Sequence, residues 1–210
     1  MTPALLYVNL SFCCGLSLLL LWAYIIHKQT RSYTVLLKSV VIFVLPGALI
    51  VSAPFNLSNV AFGGLISVLI EEILKLIGAL AEKGLRNRFF IVVLFGIWEL
   101  MLVKPLWGLA YASTLAGWTS LQVVGLMAAS LVTVLMHSVT AEVYARQLTK
   151  STNLLTRLSS ALGLGWIIHA TFNVSVDAFG VSLSVTLLQL IILSGLFLWL
   201  FPRELAENQC

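Results

Sequence analysis

Apolar residues run along this chain in long blocks separated by short polar breaks. A helix rising about 1.5 Å per residue needs about 20 apolar residues to cross the hydrocarbon core of a bilayer. Seven blocks reach that length, at about 4–26, 35–53, 62–81, 89–109, 121–143, 158–178 and 182–201. The connections between them are too short to fold as a second domain. The pattern predicts an all-α polytopic membrane protein, a bundle of about seven transmembrane helices forming one domain over 1–210.

Composition agrees: 60% of the 210 residues are hydrophobic, 10% are charged, and the mean hydropathy is +1.04. The first block follows Met1-Thr-Pro-Ala with no basic stretch and is longer than a secretory leader's apolar region, so it is expected to be a retained helix. Lys28, Arg31 and Lys38 follow the first block, Lys83, Arg86 and Arg88 the third, and Arg146, Lys150 and Arg157 the fifth. The connections 54–61, 110–120 and 178–181 hold no Lys or Arg. The positive-inside rule then predicts an outside N-terminus and a cytoplasmic tail at Pro202–Cys210. The net charge of +4 resides in these loops and points to anionic lipid head groups rather than nucleic acid. Cys13, Cys14 and Cys210 form no disulfide framework or zinc spacing.

Against this background a few polar residues stand out. Glu71 and Glu72 lie in the middle of the third block. A charged side chain at the bilayer centre costs about 2.5 to 3.5 kcal/mol, so such residues face a polar interior and mark a site. Lys75 is four residues from Glu71 and three from Glu72, within reach of both. Gly63, Gly64, Ser67 and Gly78 on the same helix invite close approach of a neighbour. Glu99 in the fourth block, with Lys104 five residues on, His137 in the fifth, and His169 and Asn173 in the sixth complete the set. Gly165, His169 and Asn173 recur at four-residue spacing, putting a gap, an imidazole and an amide in one row. Counted from the outer ends, Glu71, Glu99 and His169 fall near one depth, with His137 somewhat nearer the cytoplasm. Glu142 with Arg146 reads as a solvated ion pair at the inner surface, and His27 and Asp177 as interfacial. Trp22, Tyr24, Trp107, Tyr111, Trp118 and Trp199 suggest an aromatic belt, while Trp98 and Trp166 are deep enough to line a site.

These residues carry a resemblance. Glu71-Glu-Ile-Leu-Lys75 resembles the EExxK motif of the PrsW membrane proteases, a branch of the superfamily that includes the CAAX prenyl endopeptidases and bacteriocin-processing enzymes. Phe95-Gly-Ile-Trp-Glu99 is similar to that branch's FxxxE, His137 to its third motif, and His169-Ala-Thr-Phe-Asn173 to HxxxN. The motifs occur in family order and bound a catalytic core of about 62–178. The anterior-pharynx-defective subunit of gamma-secretase shares the core architecture as a scaffold and lacks the paired Glu. In the CAAX enzymes the second motif ends in His where this chain has Glu99.

The resemblance implies a glutamate-type intramembrane protease that hydrolyses a peptide bond with an activated water. Glu71 is then the general base, and His169 and Asn173 stabilise the oxyanion. His137 orients the water or polarises the carbonyl, Glu72 and Glu99 hold the histidines or share a proton with Glu71, and Lys75 supports them. No cofactor is required on this reading. The competing expectation is zinc held by Glu71, Glu72, Glu99, His137 and His169. Two other classes remain open: a proton-coupled transporter, for which Pro46-Gly47 is the only hint of a broken helix, and an inactive helix-binding scaffold using Gly63, Ser67, Gly163 and Gly165. The expected substrate is a membrane protein, such as an anti-sigma factor in the PrsW case, or a lipidated peptide. The expected setting is a prokaryotic cell membrane.

Overall fold

The computed structural model describes residues 2–30, 32–44, 63–110, 112–179 and 183–200. Among them all regular structure is helical. Helix α1 covers Pro3–Thr30; α2 covers Thr34–Ser39 and widens into a π turn at Val40–Val44; α3 covers Gly63–Leu80. Helix α4, Leu85–Trp98, passes through a π turn at Glu99–Val103 into α5, Lys104–Ala110, and a short α6 follows at Ala112–Leu115. Helices α7, Ser120–Thr149, α8, Leu154–Phe179, and α9, Leu183–Leu200, complete the chain. The second expected span is described only as far as Val44. Pro46-Gly47, the 54–61 connection, Tyr111, the tail from Phe201 to Cys210 and the side chain of Asp177 lie outside the described residues.

Local chemistry sets several of the boundaries. Gly84 precedes α4 at φ 79°, a left-handed value that costs glycine nothing. A reciprocal cap opens α7: Thr119 Oγ1 accepts from the Gln122 amide, and Gln122 Oε1 accepts from the Thr119 amide at 2.8 Å. Asn153 Oδ1 accepts from the Thr156 amide at 2.8 Å ahead of α8.

The centre of the bundle is α4. Every residue from Phe89 to Ile97 is buried, as expected of a helix that is apolar all round. It packs on α7, α1, α2 and α3, while α8 lies against both α7 and α3 and α9 against α7. Glycine permits some of the closest crossings. A Cβ on Gly78 would stand 2.5 Å from the Phe43 ring, and one on Gly15 would stand 2.7 Å from the Met101 backbone. Trp98 and Trp166 brace helices rather than line a site: Trp98 donates to Ser39 Oγ at 2.9 Å and Trp166 to the Leu65 carbonyl at 3.3 Å. Trp22 is tucked against Phe89 and Phe90 instead of joining an outer belt, whereas Tyr24 and Trp199 face outward.

The outer surface is apolar. Leu20, Leu121, Leu155, Ile191, Leu198 and Trp199 are each more than 60% exposed, which suits lipid contact and not water. Among the described residues three helices are long and apolar enough to cross a membrane: Pro3–Thr30, Leu85–Ala110 and Ser120–Thr149. Apart from Lys75 and Lys104, the basic residues that make contacts gather at one end of the bundle. Lys38 pairs with Glu82 at 2.8 Å, and Arg88 and Arg157 both donate to the Leu148 carbonyl in the last turn of α7. Glu142 departs from the expected solvated pair: it is fully buried and accepts from Arg146 Nε at 2.6 Å, because α7 continues past the expected end of the span to Thr149.

Candidate active site

Four helices bring the polar residues singled out in the apolar blocks to one place: α3 supplies Glu71, Glu72 and Lys75, α4 with its π turn Glu99, α7 His137, and α8 His169. The two histidine rings meet edge to face with centroids 5.2 Å apart. His137 is thus level with His169 and not nearer the basic end as expected.

Each histidine is held by a carboxylate, and each carboxylate by a lysine. His169 Nδ1 is 2.8 Å from Glu72 Oε1, and Lys75 Nζ donates to the same oxygen. Glu72, Lys75 and His169 are all sealed from the surface. The Tyr144 hydroxyl, two turns beyond His137 on the same face of α7, donates to the Glu72 carbonyl and to Oε2, each at 3.0 Å. On the other side His137 Nε2 is 2.6 Å from Glu99 Oε2, and Lys104 Nζ is 2.7 Å from Glu99 Oε1. The Glu99 to Lys104 spacing of five is poor on an α-helix. It becomes a facing pair because the chain widens into a π turn over Glu99–Val103, just before Pro105.

Glycine makes room for both rings and acids. A Cβ on Gly96 would lie 2.7 Å from the His137 ring, and one on Gly165 would lie 2.7 Å from both Glu72 Oε2 and the Tyr144 ring. Gly165 therefore serves the row expected on α8, as a gap that admits a carboxylate from α3. Asn173 is half-buried and, among the described residues, takes no part in the bonds that join the other groups. Gly163 has open space beside it and mediates no close approach.

Glu71 is left over. Its Oε2 is buried without a hydrogen-bond partner, 3.7 Å from His169 Nε2, and His137 Nδ1 is likewise buried without one. One atom each from Glu71, His137 and His169 lie within 4.8 Å of one another. A carboxylate accepts only, so Glu72 and Glu99 each fix a proton on the histidine nitrogen they face, and the opposite nitrogen of a neutral ring presents a lone pair. Three acceptors converge where none of the described residues supplies a donor. Such a point suits a water, which brings two hydrogens, or a cation.

Tyr144 and Gly96 were not among the expected site residues, whereas Lys104 is the partner of Glu99 that the sequence offered at a poor spacing. The one signal for Tyr144 is its seven-residue spacing from His137. Comparison with protein families, curated proteins and solved structures finds no match for this chain.

Proposed function

We propose that the chain is a glutamate-type intramembrane endopeptidase in which Glu71 activates a water held against His137 and His169. The observation that carries this reading is the buried, unpartnered Glu71 Oε2 beside two histidines whose far nitrogens are already engaged by acids. Glu72 and Glu99 each have a lysine at hand, so their charges are offset, whereas Glu71 has no such partner of its own. Glu71 takes one proton from the water, the oxygen attacks the peptide carbonyl carbon, and the proton passes to the departing amine as the C–N bond breaks. A neutral His169 offers a lone pair at Nε2, so of the two expected oxyanion donors Asn173 is the better placed by chemistry. The resemblance of the four motifs to the PrsW branch supports the same reading and extends it to seven spans, an outside N-terminus, a core of about 62–178 and a prokaryotic cell membrane. Its substrate is a single-span membrane protein or a lipidated peptide, arriving from the bilayer because the helices that carry the site present an apolar outer surface. The test is Glu71→Gln in purified protein reconstituted in lipid. Loss of about 1,000-fold in peptide hydrolysis is expected from removing a general base, and undiminished cleavage refutes the assignment.

A second reading is favoured by the same three acceptors, which fit a divalent cation such as zinc. Glu71, His137 and His169 would hold it, and Glu72 and Glu99 would orient the histidines from behind instead of ligating as first expected. The ion would make a bound water nucleophilic at neutral pH. Activity lost to a tight chelator and restored by zinc selects this reading; activity untouched by the chelator rejects it.

A further inference from the structure

A cavity of about 140 Å³ adjoins the site on the side away from the basic end of the bundle. Most of its wall lies on the elements that carry the site. Lys104 is the partner of Glu99, Thr133 lies one turn before His137 on α7, and Phe172 lies three residues past His169 on α8. The far wall is Tyr7 from α1, and Trp107 stands at the outer lip, 39% exposed and edge-on to the Tyr7 ring.

The wall hydroxyls are committed elsewhere. Ser130 donates to the Leu126 carbonyl at 2.9 Å and Thr133 to the Ala129 carbonyl at 3.1 Å. The Tyr7 hydroxyl, 2.9 Å from Ser130 Oγ, therefore spends its proton on that oxygen. The Lys104 ammonium is tied to Glu99. What the pocket offers an occupant is mainly the surfaces of Trp107, Phe172, Leu126 and Ala129. An apolar cavity of about 150 Å³ is large enough to take up benzene. The volume here suits one leucine-sized or phenyl side chain and no more.

We propose that this cavity receives a single apolar side chain of the peptide, next to the bond that is cut, and that the substrate enters from the end of the bundle that lacks basic residues. The inference rests on the hydrolytic reading of Glu71, and it selects among substrates by size: leucine or phenylalanine beside the scissile bond is favoured over glycine or a charged residue.

The experiment has two arms, so that failure of the pocket and failure of the base are told apart. In the first, Cys13, Cys14 and Cys210 are replaced by alanine and Ala129→Cys is introduced in protein reconstituted in sealed vesicles. The water-soluble thiol reagent trimethylammonium-ethyl methanethiosulfonate is added to one side at a time. Modification from the side opposite the basic residues, at least ten times faster than from the basic side, is expected; equal rates or no modification overturn the entry route. In the second, a library of single-span synthetic peptides randomised near the middle is digested by wild type, Ala129→Phe, Trp107→Ala and Glu71→Gln. Ala129→Phe fills the pocket and is expected to lower kcat/KM at least tenfold for leucine or phenylalanine beside the cut while sparing alanine. Trp107→Ala widens it, admits tryptophan there, and decides the matter if Ala129→Phe does not fold. An unchanged preference in the variants that fold overturns the pocket even where Glu71→Gln abolishes cleavage. A shifted preference with Glu71→Gln still active keeps the pocket and removes the base. If wild type cleaves no peptide, the hydrolytic reading falls, and with it the pocket as a substrate subsite.

Discussion

Two chains of histidine, carboxylate and lysine converge on Glu71, built alike but sealed differently. His169, Glu72 and Lys75 bridge α3 and α8 with essentially no exposure, and Tyr144 adds a further donor. His137, Glu99 and Lys104 bridge α7 and the α4 π turn, and there the acid is 12% and the lysine 27% exposed, at the edge of the cavity. Each lysine offsets its own acid, leaving Glu71 without such a partner. The closed chain behaves as a pin that fixes one histidine. The open chain runs from the other histidine to the edge of the cavity. Glu71 and Glu72, adjacent in sequence, thereby receive different tasks because about 100° of helix separates their directions.

The sharpest way to break this division is to remove one partner of the closed chain. Glu72→Gln leaves Lys75 charged and sealed from the surface, and losing one member of a buried pair costs about 3 to 5 kcal/mol. Thermal unfolding in detergent is expected to show that loss, and a variant as stable as wild type would mean that Glu72 pins nothing. Glu71→Gln should invert the result: hydrolysis falls about 1,000-fold, equivalent to about 4 kcal/mol of barrier, while stability stays within about 0.5 kcal/mol because no partner is stranded. A large drop in its melting temperature would place Glu71 with the structural acids. Next in size is Lys104→Met in the open chain. The pair is partly exposed, so about 1 to 2 kcal/mol of stability is expected to be lost, between the surface and buried limits. A loss as large as that of Glu72→Gln would show that the two chains are equally sealed.

Much of this arrangement could be read from residue spacing, and the exceptions have identifiable causes. The apolar blocks mark the helices, and the acids within them mark the site, because both follow from the cost of placing charge or backbone in hydrocarbon. The pairing of Glu72 with Lys75 follows from three-residue spacing. Glu99 with Lys104 does not, since nothing in the letters announces a π turn and the five-residue spacing works only on one. Depth estimates fail where a helix outruns its apolar block. α7 extends to Thr149 and not to about 143, so His137 sits well inside the bundle and Glu142, expected in water, is buried. Contacts across helices, such as Gly165 admitting Glu72 or Gly96 admitting the His137 ring, depend on which faces meet, and a single sequence does not specify that.

The smallest expected effect probes the pin from its far side. Tyr144 gives one hydroxyl proton to two acceptors of Glu72, the carbonyl and Oε2, and the acid keeps Lys75 and His169 when that proton is gone. Tyr144→Phe preserves the ring that packs against Gly165 and removes only the hydrogen bond. A net loss of about 1 to 1.5 kcal/mol follows from one buried bond, seen as a melting temperature lower by about 2 to 6 °C in a protein of this size. Hydrolysis should remain within about threefold, since Glu72 Oε1 still fixes the His169 proton and Glu71 is untouched. If Tyr144→Phe lost activity as Glu71→Gln does, Glu72 would be taking part in the chemistry and the closed chain would be no mere pin.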